Sequence, residues 1–377
     1  MGWPNGSDPL DWLHLPLPPM PPLLILRVHT DLRLGMGHVA RALAIEAAWR
    51  ALGGVSCLAV SGDDRARRVG QGLHPFREER LPCEVVDLGT DLHAALPAEL
   101  KARASGVLVD HWDNDPEELA ALRPLKLALM EDDSDLHEAA DLLFQPFLEG
   151  VDFPDNPVKQ VGGRKVRPFE AQHGACRVLR GLRFVVVDPS ARDLRPKRDP
   201  LQPLTVRRLL VSFGGTDGPG LAARAFQVLR QLVESGRWLG QCTLLDPSGA
   251  LSDPFPGCTI HGQLAGFTHR MLEHDALWCA AGLSFVEALC LGVPAAAWGQ
   301  NERQHRMIAD VALANGCFDL GIGPVADLAI VTEAVARWLG PEGLDNRQEQ
   351  SRDGRALVDG MGAQRVAQEL WTLLAPP

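Results

Sequence analysis

The sequence predicts an α/β protein built from two consecutive Rossmann-like domains, each a parallel sheet covered on both faces. Three observations predict it. In the first half, short near-continuous apolar runs alternate with segments of helical period. The stretch "SARDLRPKRDPLQPLTVRR" then interrupts, charged, proline-rich and without apolar period. After it the alternation of strand and helix starts again. The 377 residues are enough for two domains with cores of their own.

The elements follow in order. Residues 1–22 are proline-rich and aperiodic, with neither a basic n-region nor a small-residue cleavage site, and read as a loose extension rather than a signal peptide. "LLILRVH" is the first strand. Val39, Leu43 and Ala47 then recur at helical spacing until Gly53 and Gly54 stop the helix. "VSCLAVSG", "CEVVDLG", "GVLVDHW" and "KLALMEDD" are further strands of a first domain spanning 23–190. The linker is placed at 191–206 and the second domain at 207–377. That domain reads as "RLLVSFGG", a long helix from about Gly220, "CTLLDP", "CTIHGQL", "ALWCAAG", a helix through Glu287, "VPAAAWG" and a C-terminal helix. Ligands of such sheets bind beyond the carboxyl ends of the strands, here in the cleft between domains.

Composition excludes several classes. Against 37 Lys and Arg stand 48 Asp and Glu, a net charge of −11, which argues against nucleic acid as a bulk partner. A nucleotide can still be held by a few arginines and helix N-termini. The eight cysteines show no CxxC spacing and read as small buried hydrophobes in a reducing compartment, which places the protein in the cytosol. The longest apolar stretch, "AGLSFVEALCLGVPAAAWG", is interrupted by Glu287, Gly292 and Pro294, so it is a helix followed by a strand and not a membrane span. Tyrosine is absent, which removes one residue type from any site.

Four stretches carry chemistry-bearing residues. In "LGMGHVAR", Gly35 and Gly37 permit close backbone approach, and His38 stands at a helix N-terminus. There the dipole favours an anion and keeps an imidazole neutral, as a general base requires; the plain alternative is a histidine capping its helix. In "SFGGTD", Gly214 and Gly215 can turn amides toward phosphate oxygens, or Asp217 can simply cap the next helix. In "AAGLSFVEALCLGVP", Ser284 and the helix N-terminus suit a diphosphate and Glu287 suits a ribose diol, although Ser-x-x-Glu is also a capping box. In "VLVDHWDND", Asp110 ends a strand as site carboxylates often do, with a helix cap at Asp113 or Asp115 as the alternative. Glu131, Asp132 and Asp133 of "MEDD" read as a solvated loop rather than a metal site.

Taken in order, Arg27 with "LGMGHVAR", "LVDHW", "MEDD", "GACRVLRGLRF", "LLVSFGGTD", "AAGLSFVEALCLGVP", Gln304 and "DGMGAQRV" resemble the GT-B-fold nucleotide-sugar hydrolases of pseudaminic acid biosynthesis. That family removes UDP from UDP-2,4-diacetamido-2,4,6-trideoxy-β-L-altrose and is related to the transferase that adds N-acetylglucosamine to the peptidoglycan lipid precursor. The resemblance covers most of 23–374. It implies a GT-B fold, two Rossmann-like domains facing a central cleft, with UDP on the second domain. It further implies His38 and Asp110 as catalytic, and Arg27, Gly37, Arg41, Gly214, Gly215, Ser284, Glu287 and Gln304 as substrate-binding. No cofactor and no metal are implied, the partner is a UDP-sugar, and the chain is expected as a monomer or weak oligomer. His29, Trp112 and Cys176 depart from the family pattern on the sugar side, and Asn301 is displaced from Gln304 by Arg303. Water attack at the anomeric carbon is the first expectation. Transfer to an acceptor hydroxyl and non-catalytic nucleotide-sugar binding are the alternatives.

Overall fold

The computed structural model of the chain describes residues 21–31, 35–75, 78–111, 114–132, 135–147, 159–161, 164–166, 170–195 and 205–375. The first domain runs β1 Leu23–Thr30, α1 Gly37–Ala51, β2 Val55–Gly62, α2 Asp64–Gly70, β3 Glu84–Asp87, α3 Ala98–Arg103, β4 Gly106–Asp110, α4 Pro116–Ala121, β5 Lys126–Met130 and β6 Leu142–Gln145. A small antiparallel pair follows, β7 Lys159–Val161 with β8 Arg164–Val166, and then β9 Glu170–His173 and β10 Cys176–Arg180. The sheet order is β3-β2-β1-β4-β5-β6-β10-β9, parallel except where β9 meets β10. Along β1, Leu24, Leu26 and Val28 enter one core while Leu23 and Ile25 enter the other, so the sheet is buried on both faces.

The second domain runs α5 Pro189–Leu194, β11 Arg208–Ser212, α6 Leu221–Glu234, β12 Gln241–Leu245, β13 Cys258–His261, α7 Phe267–Leu272, β14 Ala276–Cys279, α8 Leu283–Leu291, β15 Ala295–Gly299, α9 Glu302–Leu313, β16 Phe318–Ile322, α10 Leu328–Leu339, α11 Leu344–Leu357 and α12 Gly362–Leu374. Its sheet, β13-β12-β11-β14-β15-β16, is parallel throughout. In both sheets the strand order reverses beside the first strand, between β1 and β4 and between β11 and β14. Loops splay apart at such switch points and leave a crevice. The four chemistry-bearing stretches follow β1, β4, β11 and β14, so they meet at these two crevices.

Two segments lie elsewhere than their chain position suggests. The stretch expected to open the linker carries Ala191 and Leu194 of α5, which are buried in the core of the second domain with Phe285 and Ala288 of α8. Residues 196–204 of it fall outside the described residues, as do 1–20 of the extension. Although α12 ends the second half of the chain, it packs on α1 of the first domain. Val366, Ala367, Leu370 and Leu374 line one helical face and are buried there, and Trp371 meets Trp49 at 5.2 Å. Among the described residues no helix is long and apolar enough to cross a membrane.

Candidate active site

Two residues from separate strand–helix turns come together first. Thr30 Oγ1 donates to the Gly35 carbonyl at 2.6 Å, and Gly35 takes φ +68°, which turns the chain into α1 with His38 in its first turn. Asp110 ends β4, the neighbour of β1. Its Oδ1 lies 2.7 Å from His38 Nδ1. Asp110 is 1% exposed and His38 4%.

Arg41, one helical turn after His38, grips the other side of that carboxylate: Nε donates to Asp110 Oδ2 at 2.8 Å and an Nη to Oδ1 at 2.5 Å. Its remaining Nη donates to Glu131. Burial alone would push the Asp110 carboxyl up. The Arg41 charge and the hydrogen bonds from His38 and Arg41 outweigh it and hold the group well below the usual carboxylate range. Burial likewise opposes the Arg41 charge, and Asp110 with Glu131 more than reverses that, so Arg41 stays a cation. An ionised carboxylate is acceptor-only. His38 Nδ1 must therefore carry a proton, and in the neutral ring the lone pair is then on Nε2. This is the base-plus-orienting-carboxylate arrangement of general-base catalysis.

Glu131 corrects the sequence expectation for "MEDD". Glu131 and Asp132 are buried, not solvated, and Asp133 lies outside the described residues. Glu131 stands at φ +55°, which is held by pairing with Arg41 and by a cross-domain contact, Arg303 Nη2 to the Glu131 carbonyl at 3.2 Å. Sequence reasoning names neither Glu131 nor Arg303 as a site residue. For Glu131 a signal exists, an acid at a strand end next to the switch-point strand. For Arg303 there is none.

A cavity of about 180 Å³ lies between the domains. Gly37, His38, Arg41, Glu131 and Gln145 line it from the first domain, and Gly282, Leu283, Asn301, Arg303 and Gln304 from the second. The first turns of α1, α8 and α9 all reach its wall. A Cβ placed on Gly37 would lie 3.9 Å from Leu283 Cδ1, so the first turns of α1 and α8 come close to each other. Three positive dipole ends and Arg303 reach this cavity and favour an anion there, beside the acids Glu131 and Asp310, while Arg41 is taken up by Asp110 and Glu131.

The other residues named from sequence are placed as follows. Gly214, at φ +95°, and Gly215 follow β11, and a side chain at either would meet nothing within 4 Å. Asp217 takes the plain alternative, accepting from the amides of Leu221 and Ala222 at 2.8 Å each. Asp115 caps α4, while Trp112 and Asp113 lie outside the described residues. Gln304 lines the cavity with its amide engaged: Oε1 accepts from the Gln300 amide, Nε2 donates to Gln300 Oε1, and Gln300 Nε2 holds the Phe213 carbonyl before Gly214. Arg27 does not line the cavity. Its guanidinium donates to the carbonyls of Val28 and Leu92 and to Ser61 Oγ, beside Glu118, and so holds the loop before α3. His29 bonds Ser61 Oγ at 2.8 Å, and Cys176 is buried in β10.

Ser284 and Glu287 do not form a capping box. The N-cap of α8 is Gly282 and Ser284 is its second residue, so the required spacing is off by two. Glu287 turns instead to α7, where Thr268 Oγ1 donates to it at 3.2 Å. It is 7% exposed. Burial, with Asp188 nearby, pushes its carboxyl up to about 8. Between its ordinary value of 4.5 and about 8 the folded chain holds this proton and the unfolded chain does not, so stability falls as pH rises through that window. At about 1.4 kcal/mol per pH unit the loss reaches a few kcal/mol by pH 8. Glu287→Gln, which cannot ionise, is expected to melt higher than the parent at pH 8 and to remove that part of the pH dependence. Parallel melting curves for the two proteins from pH 5 to 8 would show that the carboxyl is already charged.

No family model matches the chain. It is 25% identical over 228 residues to the spore coat polysaccharide biosynthesis protein SpsG of Bacillus subtilis (strain 168), a match covering 58% of this chain and 65% of that relative. Among solved structures it is similar to Acinetobacter baumannii MurG, with a TM-score of 0.61 at 12% identity over 93% of this chain and 100% of the other. Spinosyn forosaminyltransferase SpnP superimposes with a TM-score of 0.60 at 13% identity, over 95% of this chain and 100% of the other. Spinosyn rhamnosyltransferase SpnG complexed with thymidine diphosphate does so with 0.56 at 16%, over 93% and 99%. The fold is GT-B. In GT-B terms the cavity sits in the cleft between the two Rossmann-like domains, walled by His38 on one side and the first turns of α8 and α9 on the other. The comparisons show this fold and do not show a role in pseudaminic acid biosynthesis.

Proposed function

We propose that the protein is a nucleotide-sugar-dependent enzyme that transfers the sugar to an acceptor hydroxyl, with His38 as general base. The observation that carries this reading is the convergence of three helix N-termini on the cavity that His38 lines. They suit the diphosphate of a UDP-sugar, the α8 side taking the nucleotide. His38 Nε2 takes the acceptor proton as the acceptor oxygen bonds the anomeric carbon. The bond from that carbon to the diphosphate oxygen breaks, and the nucleoside diphosphate leaves with the electron pair. Its charge falls to the helix N-termini and to Arg303, which strengthen as it develops. A single displacement inverts the anomeric centre. The structural neighbours named as transferases, SpnP and SpnG, support transfer over hydrolysis.

Hydrolysis is the second reading, favoured by the size of the cavity, which admits a few waters beside His38. The test is a panel of nucleotide sugars, with and without acceptor sugars, in oxygen-18 water. Transfer is expected to release UDP only with acceptor. Hydrolysis would release it without acceptor and place the label in the free sugar. Label in a phosphate would mean that the P–O bond breaks, and binding without any turnover would mean that the protein is not catalytic. Either result would overturn the mechanism.

A further inference from the structure

Gln145 on the cavity wall has a side-chain oxygen that is buried without a hydrogen bond from any described residue. Gln145 is the last residue of β6. Its backbone is in order: its carbonyl accepts from the Gly181 amide at 3.0 Å, and β10 pairs alongside in register. Its side chain is not. Gln145 is 5% exposed, lines the cavity, and its Oε1 is enclosed without accepting a hydrogen bond from any described residue. Phe147, Val185, Val186 and Met307, which have no side-chain donor or acceptor to match an amide, line the same cavity, and Arg180 stands opposite Gln145 in the β6–β10 register. The contrast with Gln300 and Gln304 is direct, since both of those amides are tied to each other and to the β11 loop. A buried acceptor left unmade costs about 1–3 kcal/mol. The amide that carries this unmatched oxygen belongs to the cavity wall.

We infer that Gln145 is a specificity-determining residue that reads a neutral polar substituent, a hydroxyl or acylamino group, on the transferred sugar. The inference rests on the nucleotide-sugar reading of the cavity. Gln145 belongs to the first domain, the side that carries His38, and so faces the reacting sugar rather than the nucleotide. A primary amide both donates and accepts, and rotation about its last torsion presents either atom to a hydroxyl or an acylamino group. It is uncharged, so it offers no counterion to a sugar carboxylate. A deoxy carbon at the same place would leave it unpaired, and sites built around a buried polar group reject such analogues strongly.

The test uses the full chain with Gln145→Met, near in shape and without a strong hydrogen-bonding group, and Gln145→Leu as a second apolar variant. Melting temperature is measured without ligand. Calorimetric Kd is measured for UDP and for the nucleotide sugar the parent binds most tightly. Both variants are expected to melt at or above the parent temperature, because the unmatched acceptor is gone. UDP affinity is expected to stay within about twofold, while nucleotide-sugar affinity drops by on the order of 10-fold or more. Donors bearing a hydroxyl and donors bearing an acylamino group at one ring position then show which substituent loses the contact. A lower melting temperature, or failure of both variants to fold, would mean a structural amide and overturn the inference. Equal nucleotide-sugar affinity in parent and variants would overturn it alone. A parent that binds no nucleotide sugar better than UDP would overturn the reading of the cavity and this inference with it.

Discussion

His38→Asn is expected to lose on the order of 10²–10⁴-fold in kcat with KM held within a few-fold. Asparagine can still hydrogen-bond Asp110 from the same position in the first turn of α1, so the local contact at 2.7 Å has a replacement. What it cannot do is take a proton at neutral pH. A positioned base acts in the transition state, when the acceptor oxygen gives up its proton, and contributes little to holding the ground-state complex. Loss of kcat at constant KM is the signature of that role. Steady-state kinetics on the active nucleotide sugar checks it. If KM rises while kcat stays, His38 binds diphosphate or merely supports α1, and the base must be sought elsewhere on the cavity wall.

His38 and Asp110 are both legible as candidates in the amino-acid sequence, and for a physical reason. Asp110 ends an apolar run that marks a strand, and His38 opens the helix that follows another across a glycine turn, and in a doubly wound sheet both places lie at the carboxyl edge. The same periodicity places β2 at Val55–Gly62 and α8 across Glu287. What local pattern does not carry is which acids lose water. Glu131 follows a strand just as Asp110 does, yet "MEDD" on its own looks like a hydrated loop. Its burial depends on Arg41, ninety positions earlier, and on Arg303, in the other domain. Glu287 shows the same limit from the other side. Ser-x-x-Glu is compatible with a cap or a ribose clamp, and the partner it takes, Thr268, sits on α7 at no fixed offset. The destination of α12 is equally hidden. Its apolar face announces a helix that must pack, without saying on which domain.

Asp110→Asn is expected to damage both rate and stability, and the two effects separate its roles. In the folded protein this carboxylate stands between His38 Nδ1 and the Arg41 guanidinium. Asparagine can donate to Nδ1, which stabilises the tautomer with its proton on Nε2 and removes the lone pair needed to accept from the attacking hydroxyl. The rate is therefore expected to fall by on the order of 10²–10⁴-fold even though His38 is intact. Removal of the charge also leaves the buried Arg41 with Glu131 alone, and breaking one partner of a buried pair costs about 3–5 kcal/mol. His38→Asn touches neither charge and is expected to change the melting temperature far less. The double variant is expected to be no slower than the worse single one, since base and orienting group act as a unit. The stability difference must also depend on pH in one direction. The folded carboxyl titrates below its ordinary value of 3.8, so its stabilising contribution is fully present above that pH and is lost as the pH falls further. Denaturant titrations at pH 7 and near pH 3 are therefore expected to show a gap between the parent and Asp110→Asn that narrows in acid. A gap of equal size at both values would mean that Asp110 acts through shape and hydrogen bonding rather than charge. The assignment of the Nδ1 proton from an ionised Asp110 would then fail with it.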